Sequence, residues 1–177
     1  MRRQEPAGTT GSSSGASTLG ETARLAIGLL IERGLTVGTA ESLTGGLVAA
    51  ALTTVPGASA VFRGGIVAYA ADLKRSLLAV PPDLLERVGT VHPDVALAMA
   101  RGARHRLAAD VGLATTGVAG PDPADGQPVG TVHIAVAVPG GAVHVPLAIE
   151  GARDAIRRTT VERVLDLLVS TLVEANA

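Results

Sequence analysis

The stretch LTVGTAESLTGGLVAAALTT, residues 35–54, decides the fold. Its first part, Leu35 to Ala40, reads as a short strand. Glu41 to Gly46 is a turn with two hydroxyls and two glycines, and Leu47 to Thr54 is an apolar helix that Pro56 and Gly57 end. A strand feeding a helix through a glycine turn is the unit of α/β architecture. Upstream, Leu19, Ala23, Ala26, Ile27, Leu30 and Ile31 recur at helical spacing up to Arg33, and Gly34 is placed to end that helix. Downstream, Gly64 to Tyr69 is a second strand. Asp72 is placed to cap a helix through Leu78 that carries Lys74. Pro81 and Pro82 open a short helix ending near Gly89. His92-Pro93-Asp94 starts another, reaching about Ala108, with proline at its first position.

Val111 to Thr116 is a third strand, and 117–130 a long loop rich in Gly and Pro. Val129 to Val138 and Ala142 to Ile149 form a hairpin across Pro139-Gly140-Gly141. Arg153 to Glu174 closes the chain as an amphipathic helix. The order predicts a single α/β domain over 19–177: three α/β/α layers around a mixed, mostly parallel sheet, with a C-terminal hairpin and helix. Residues 1–18, rich in Gly, Ser and Thr, read as a flexible tail.

Composition narrows the function. The chain has 177 residues, is 47% hydrophobic, and carries a formal net charge of −1. That charge gives no footprint for nucleic acid, and Phe62 and Tyr69 are its only aromatic residues, too few for a base-stacking platform. With no cysteine, thiolate metal sites and a Cys nucleophile are excluded. His92, His105, His133 and His144 lack metal-ligand spacing. No metal and no cofactor are expected. No secretory signal or membrane-length apolar run is present, so a cytoplasmic protein without a membrane partner is expected. The apolar composition also suggests a homo-oligomer.

Of the 15 Lys and Arg residues, only Lys74 is lysine. An amine can surrender its proton when buried and a guanidinium cannot, so Lys74 is a candidate base. A serine hydroxyl needs such a base to become a nucleophile. Ser59, in Gly57-Ala58-Ser59-Ala60, and Tyr69 are the hydroxyls considered with it. Spacing does not show that Ser59 and Lys74 meet: the chain must fold back, or the contact must cross between subunits. The turn at 41–46 offers Ser42, Thr44 and the Gly45 and Gly46 amides at a helix start, either to an anion or simply as a capped, closely packed helix. Thr116 and Gly117 lie at the carboxyl end of a strand, where open sheets bind ligands. Arg153, with Arg157 four residues on, puts positive charge at a helix start, against the dipole, which favours an anionic partner.

In order and spacing these segments resemble the CinA C-terminal domain family: Ala40-Glu41-Ser42-Leu43-Thr44-Gly45-Gly46, Val55 to Phe62, Tyr69 with Lys74, Thr116 to Pro121, and Pro128-Val129-Gly130-Thr131-Val132. The likeness covers roughly residues 20–175. It implies a Ser/Lys amidohydrolase that converts nicotinamide mononucleotide to nicotinate mononucleotide and ammonia in pyridine-nucleotide salvage. By the same likeness Ser59 is the nucleophile, Lys74 the base and Tyr69 a helper hydroxyl. Ser42, Thr44, Gly45 and Gly46 hold substrate or oxyanion, Thr116 and Gly117 line the site, and Arg153 contacts the phosphate. The chain departs from the family pattern at Leu43, where Cys is usual, at Ala70-Ala71-Asp72-Leu73, where Ser-Asn-Glu precedes the lysine, and at His92, where Ser is usual. Two other readings stay open: a non-catalytic nucleotide-binding module of the same fold, and an amidase for another small phosphorylated amide.

Overall fold

Residues 14–174 are described by a computed structural model. The chain folds as one mixed sheet of five strands between two layers of helices. The elements are α1 (Ser14–Arg33), β1 (Val37–Glu41), α2 (Leu47–Thr53), β2 (Phe62–Val67), α3 (Ala71–Leu78), α4 (Pro82–Val88), α5 (Pro93–Arg106), β3 (Val111–Gly117), β4 (Thr131–Val138), β5 (Gly141–Ala148) and α6 (Arg153–Glu174), with a 3₁₀ turn at Ala58–Ala60. The tail expected at 1–18 lies, up to residue 13, outside the described residues; from Ser14 the backbone is helical.

The strand order is β2-β1-β3-β4-β5. β1 pairs parallel with both β2 and β3, whereas β4 pairs antiparallel with β3 and β5. Four strands therefore run one way and β4 runs against them. Alternation along each strand divides the core in two. Val37, Val111, Leu113, Val132, Ile134 and Val136 face α1, α2 and α6. Ala40, Ala114, Ala135 and Ala137 face α3, α4 and α5. The second face is built of small residues, so helices approach it closely. A Cβ on Gly112 of β3 would lie 2.0 Å from the Ala100 carbonyl of α5, and one on Gly102 of α5 would lie 2.1 Å from the Leu78 carbonyl of α3. These two contacts fix α5 on the sheet and α3 on α5.

The chain leaves β1 through α2 on one face to reach β2, and leaves β2 through α3, α4 and α5 on the other face to reach β3. The connections diverge beyond the carboxyl ends of β1 and β3, the position at which open α/β sheets bind ligands.

Local expectations change at α3 and at β2. The α3 start is formed by Ala70 with no side-chain bond, and Asp72 sits inside the first turn instead of capping it. β2 is Phe62–Val67, two residues earlier at each end than read from the sequence. His92 does precede α5, and its Nδ1 accepts from the Asp94 N–H at 3.2 Å.

Candidate active site

The carboxyl end of β1 delivers Glu41 to one face of the sheet and Ser42 to the other. Glu41 is 1% exposed and turns into the start of α2. One carboxylate oxygen accepts from the Gly46 and Val48 N–H groups at 2.9 and 3.0 Å, and the other from Ala49 at 2.8 Å. The anion at this helix start is thus the protein's own carboxylate. The Gly45 N–H is also committed, to the Ser42 carbonyl at 3.1 Å. The expectation that the Gly45 and Gly46 amides hold substrate or oxyanion is corrected, because their N–H groups already have partners. Among the described residues the Leu43 and Thr44 N–H groups, next to Ser42, have no acceptor.

Ser42 continues the β1–β3 pairing, its N–H donating to the Thr115 carbonyl at 3.0 Å. Its side chain points at α3. There Lys74, only 1% exposed, donates to Ser42 Oγ at 3.0 Å, to the Ala68 carbonyl at 2.8 Å and to the Tyr69 carbonyl at 3.1 Å. The three partners suit either protonation state. An ammonium spends one N–H on each; a neutral amine gives two N–H groups to the carbonyls and turns its lone pair to the serine O–H. Burial pushes the Lys74 amine down from the usual 10.5 to about 8, against an upward pull from the Asp125 carboxylate.

The structure does not pair Ser59 with Lys74 within one chain. Ser59 lies in the 3₁₀ turn ahead of β2, and Lys74 follows β2's carboxyl end. The strand between spans about 20 Å. Ser59 is exposed and lines a separate cavity of about 320 Å³ with Thr53, Val55, Gly57, Ala58 and Phe62. The hydroxyl on the lysine is Ser42.

The other expected residues gather around this pair. Thr44 Oγ1 lies 2.8 Å from Thr115 Oγ1. Thr116 donates to the Thr90 carbonyl at 2.7 Å, and Gly117 ends β3 beside it. Arg153 donates to the Tyr69 hydroxyl at 3.0 Å and to the Gly120 carbonyl at 2.6 Å. Arg157 grips the turn itself, donating to the Leu43 and Thr44 carbonyls at 2.9 and 3.0 Å. The arginine pair expected to meet an anion is therefore divided: Arg157 shapes the loop, and exposed Arg153 is at the rim with Tyr69.

Sequence reasoning missed Glu41, Thr90 and Asp125. Glu41 carried a usable signal, since alternate residues of β1 face one side and α2 packs on that side. Thr90 and Asp125 lie 35 residues apart in irregular segments and carried none.

Comparison with known proteins identifies the lineage. The family model described as CinA C-terminal domain matches residues 20–172, and the chain belongs to that family. A CinA-like protein from Frankia casuarinae is 52% identical over 142 residues, 80% of this chain and 33% of the relative. A CinA-like protein from Geobacter sulfurreducens is 49% identical over 148 residues, 83% of this chain and 36% of the relative. The chain thus spans about a third of the length of these curated relatives. Among solved structures, the competence/damage inducible protein CihA from Agrobacterium tumefaciens superposes with a TM-score of 0.83 at 40% identity, covering 86% of this chain and 94% of that one. A CinA superfamily protein from Escherichia coli gives 0.84 at 31%, covering 92% and 94%. Among the described residues no helix is long and apolar enough to cross a membrane, and no cluster of His, Asp or Glu could hold a metal ion.

Proposed function

We propose that this domain is a Ser/Lys amidohydrolase that deamidates nicotinamide mononucleotide, and that the nucleophile is Ser42 in place of Ser59. The observation that carries the reading is the 3.0 Å contact between Ser42 Oγ and a buried, easily deprotonated lysine amine. The neutral amine takes the Ser42 proton as Oγ attacks the amide carbon. The tetrahedral oxyanion is met by the unpartnered Leu43 and Thr44 N–H groups. As the C–N bond breaks, the Lys74 ammonium returns its proton to the departing nitrogen, which leaves as ammonia. Water then hydrolyses the acyl–Ser42 ester with the same amine as base. Arg153 offers the substrate phosphate a fork of N–H donors at the rim, and Tyr69 stands beside it. No step calls for a cofactor or metal.

Ammonia release from nicotinamide mononucleotide by the purified protein tests this. Ser42→Ala and Lys74→Ala are each expected to lower kcat about a thousandfold. Ser59→Ala is expected to keep turnover. Loss of activity in Ser59→Ala with retention in Ser42→Ala would overturn the assignment of Ser42 and place Ser59 of a second copy against Lys74. A folded wild type that binds the mononucleotide without releasing ammonia would overturn the hydrolase reading in favour of a binding module.

A further inference from the structure

The turn from Ser42 to Gly46 is held from behind by a cation that the proposed chemistry has not used. Arg157, in the second turn of α6, is half-buried. It donates from Nε to the Leu43 carbonyl at 2.9 Å and from Nη2 to the Thr44 carbonyl at 3.0 Å. Among the described residues no carboxylate lies within ion-pair distance of it; Asp154, one turn earlier on the same helix, pairs with Arg158 instead. Its charge therefore goes to two peptide carbonyls. Gly45 gives the guanidinium room: at its φ of 60° a Cβ would lie 3.3 Å from Nη2. In a trans peptide the C=O of one residue and the N–H of the next point in opposite directions, and the peptides of this turn are trans. Arg157 holds the Leu43 carbonyl from α6, so the Thr44 N–H of the same peptide is turned away from α6, toward the sheet face that carries α3 and Lys74. The Ser42 carbonyl is held by the Gly45 N–H at 3.1 Å, which turns the Leu43 N–H outward in the same way. A bond at a carbonyl also polarises its peptide and strengthens the N–H as a donor, most of all when the bond comes from a cation.

We propose that Arg157 is a positioning residue for the oxyanion: it fixes the direction of the Thr44 N–H and strengthens it as a donor, from behind the peptide and without touching substrate. This rests on the Ser42 hydrolase reading, in which that N–H meets the tetrahedral oxygen. It also divides the two arginines of α6 by task. Arg153, exposed at the rim, offers its fork to the substrate phosphate and acts on binding. Arg157 acts on the transition state, where negative charge collects on the oxygen.

Kinetics and amide NMR test this together. Arg157→Gln is expected to lower kcat for ammonia release from nicotinamide mononucleotide roughly ten- to a hundredfold and to leave KM within about twofold. In spectra of the protein without substrate, the same substitution is expected to move the Thr44 and Gly45 amide proton signals upfield. Both N–H groups belong to peptides whose carbonyls Arg157 holds. The Val48 and Ala49 signals, from N–H groups held by Glu41, are expected to stay in place. Arg157→Lys keeps a cation within reach of one carbonyl. It is expected to fall between the wild type and Arg157→Gln in both measurements, and it carries the test if the glutamine variant does not fold. A raised KM with unchanged kcat overturns the proposal and makes Arg157 a substrate contact. Unmoved Thr44 and Gly45 signals overturn it too. So does a shift that spreads equally to Val48 and Ala49, which would make Arg157 a support of the whole α2 start. Absence of ammonia release from the wild type would count against the hydrolase reading, and the amide signals would still decide whether Arg157 orients the peptide.

Discussion

Burying a lysine amine works against the fold. At Lys74 the folded protein holds the proton less tightly than the unfolded chain does, with a midpoint of about 8 against 10.5. Between these values the unfolded chain binds more protons, so stability rises with pH across that window. Below about 8 the penalty is present in full, on the order of 3 kcal/mol; above 10.5 it is gone. Lys74→Met removes the titration. Relative to this variant, the wild type is expected to gain stability between pH 7 and pH 10, read as a rising difference in urea midpoints. Parallel midpoints at both pH values would show that the amine is not desolvated. The proposed base is thus made easier to deprotonate at the expense of the scaffold, a trade common at active sites.

Helix α3 carries Lys74 but has little hold of its own: eight residues, no side-chain cap, and only Lys74 and Leu78 buried. It is held by α5, and Gly102 is the point of closest approach. Gly102→Ala would drive a methyl into the Leu78 carbonyl and push α3 outward. A destabilisation of about 3 kcal/mol or more is expected by chemical denaturation. Turnover is expected to fall with it, because the Ser42–Lys74 contact is lost. Elements of this kind show how much could be read in advance. The closing helix came out as Arg153–Glu174, since Ile156, Val161, Val164, Leu165, Leu168 and Leu172 repeat at helical spacing and all are buried. The hairpin and the helix starting at Pro93 followed from Pro-Gly-Gly and His-Pro-Asp. The Ser42–Lys74 pair was not legible. It joins residues 32 apart, one just past the end of β1 and the other on α3, and hydropathy records which residues are buried but not which meet. Glu41 misled for a related reason: a glycine-rich helix start looks the same whether the anion it meets is a ligand or the chain's own carboxylate.

The two cores share one sheet, so acid that loosens the β4–β5 hairpin acts on the whole molecule. His133 Nδ1 and His144 Nε2 lie 3.0 Å apart across that hairpin. Burial lowers both titrations from the usual 6.5; His144 and His92 lower His133 further, while Asp94 partly offsets the effect at His144. Below 6.5 the unfolded chain binds the protons first, so stability is expected to fall as pH drops through that window. His144→Gln should flatten the thermal-melt profile between pH 7 and 5; an equally steep fall would assign the acid sensitivity elsewhere. The rim offers a simpler kind of access to the molecule. The chain has no tryptophan and one tyrosine, and that phenol is 59% exposed and hydrogen-bonded to Arg153. Nearly all of the protein's near-ultraviolet emission therefore originates from a single ring beside the proposed phosphate fork, so the unlabelled chain carries its own optical reporter of anything that displaces that guanidinium.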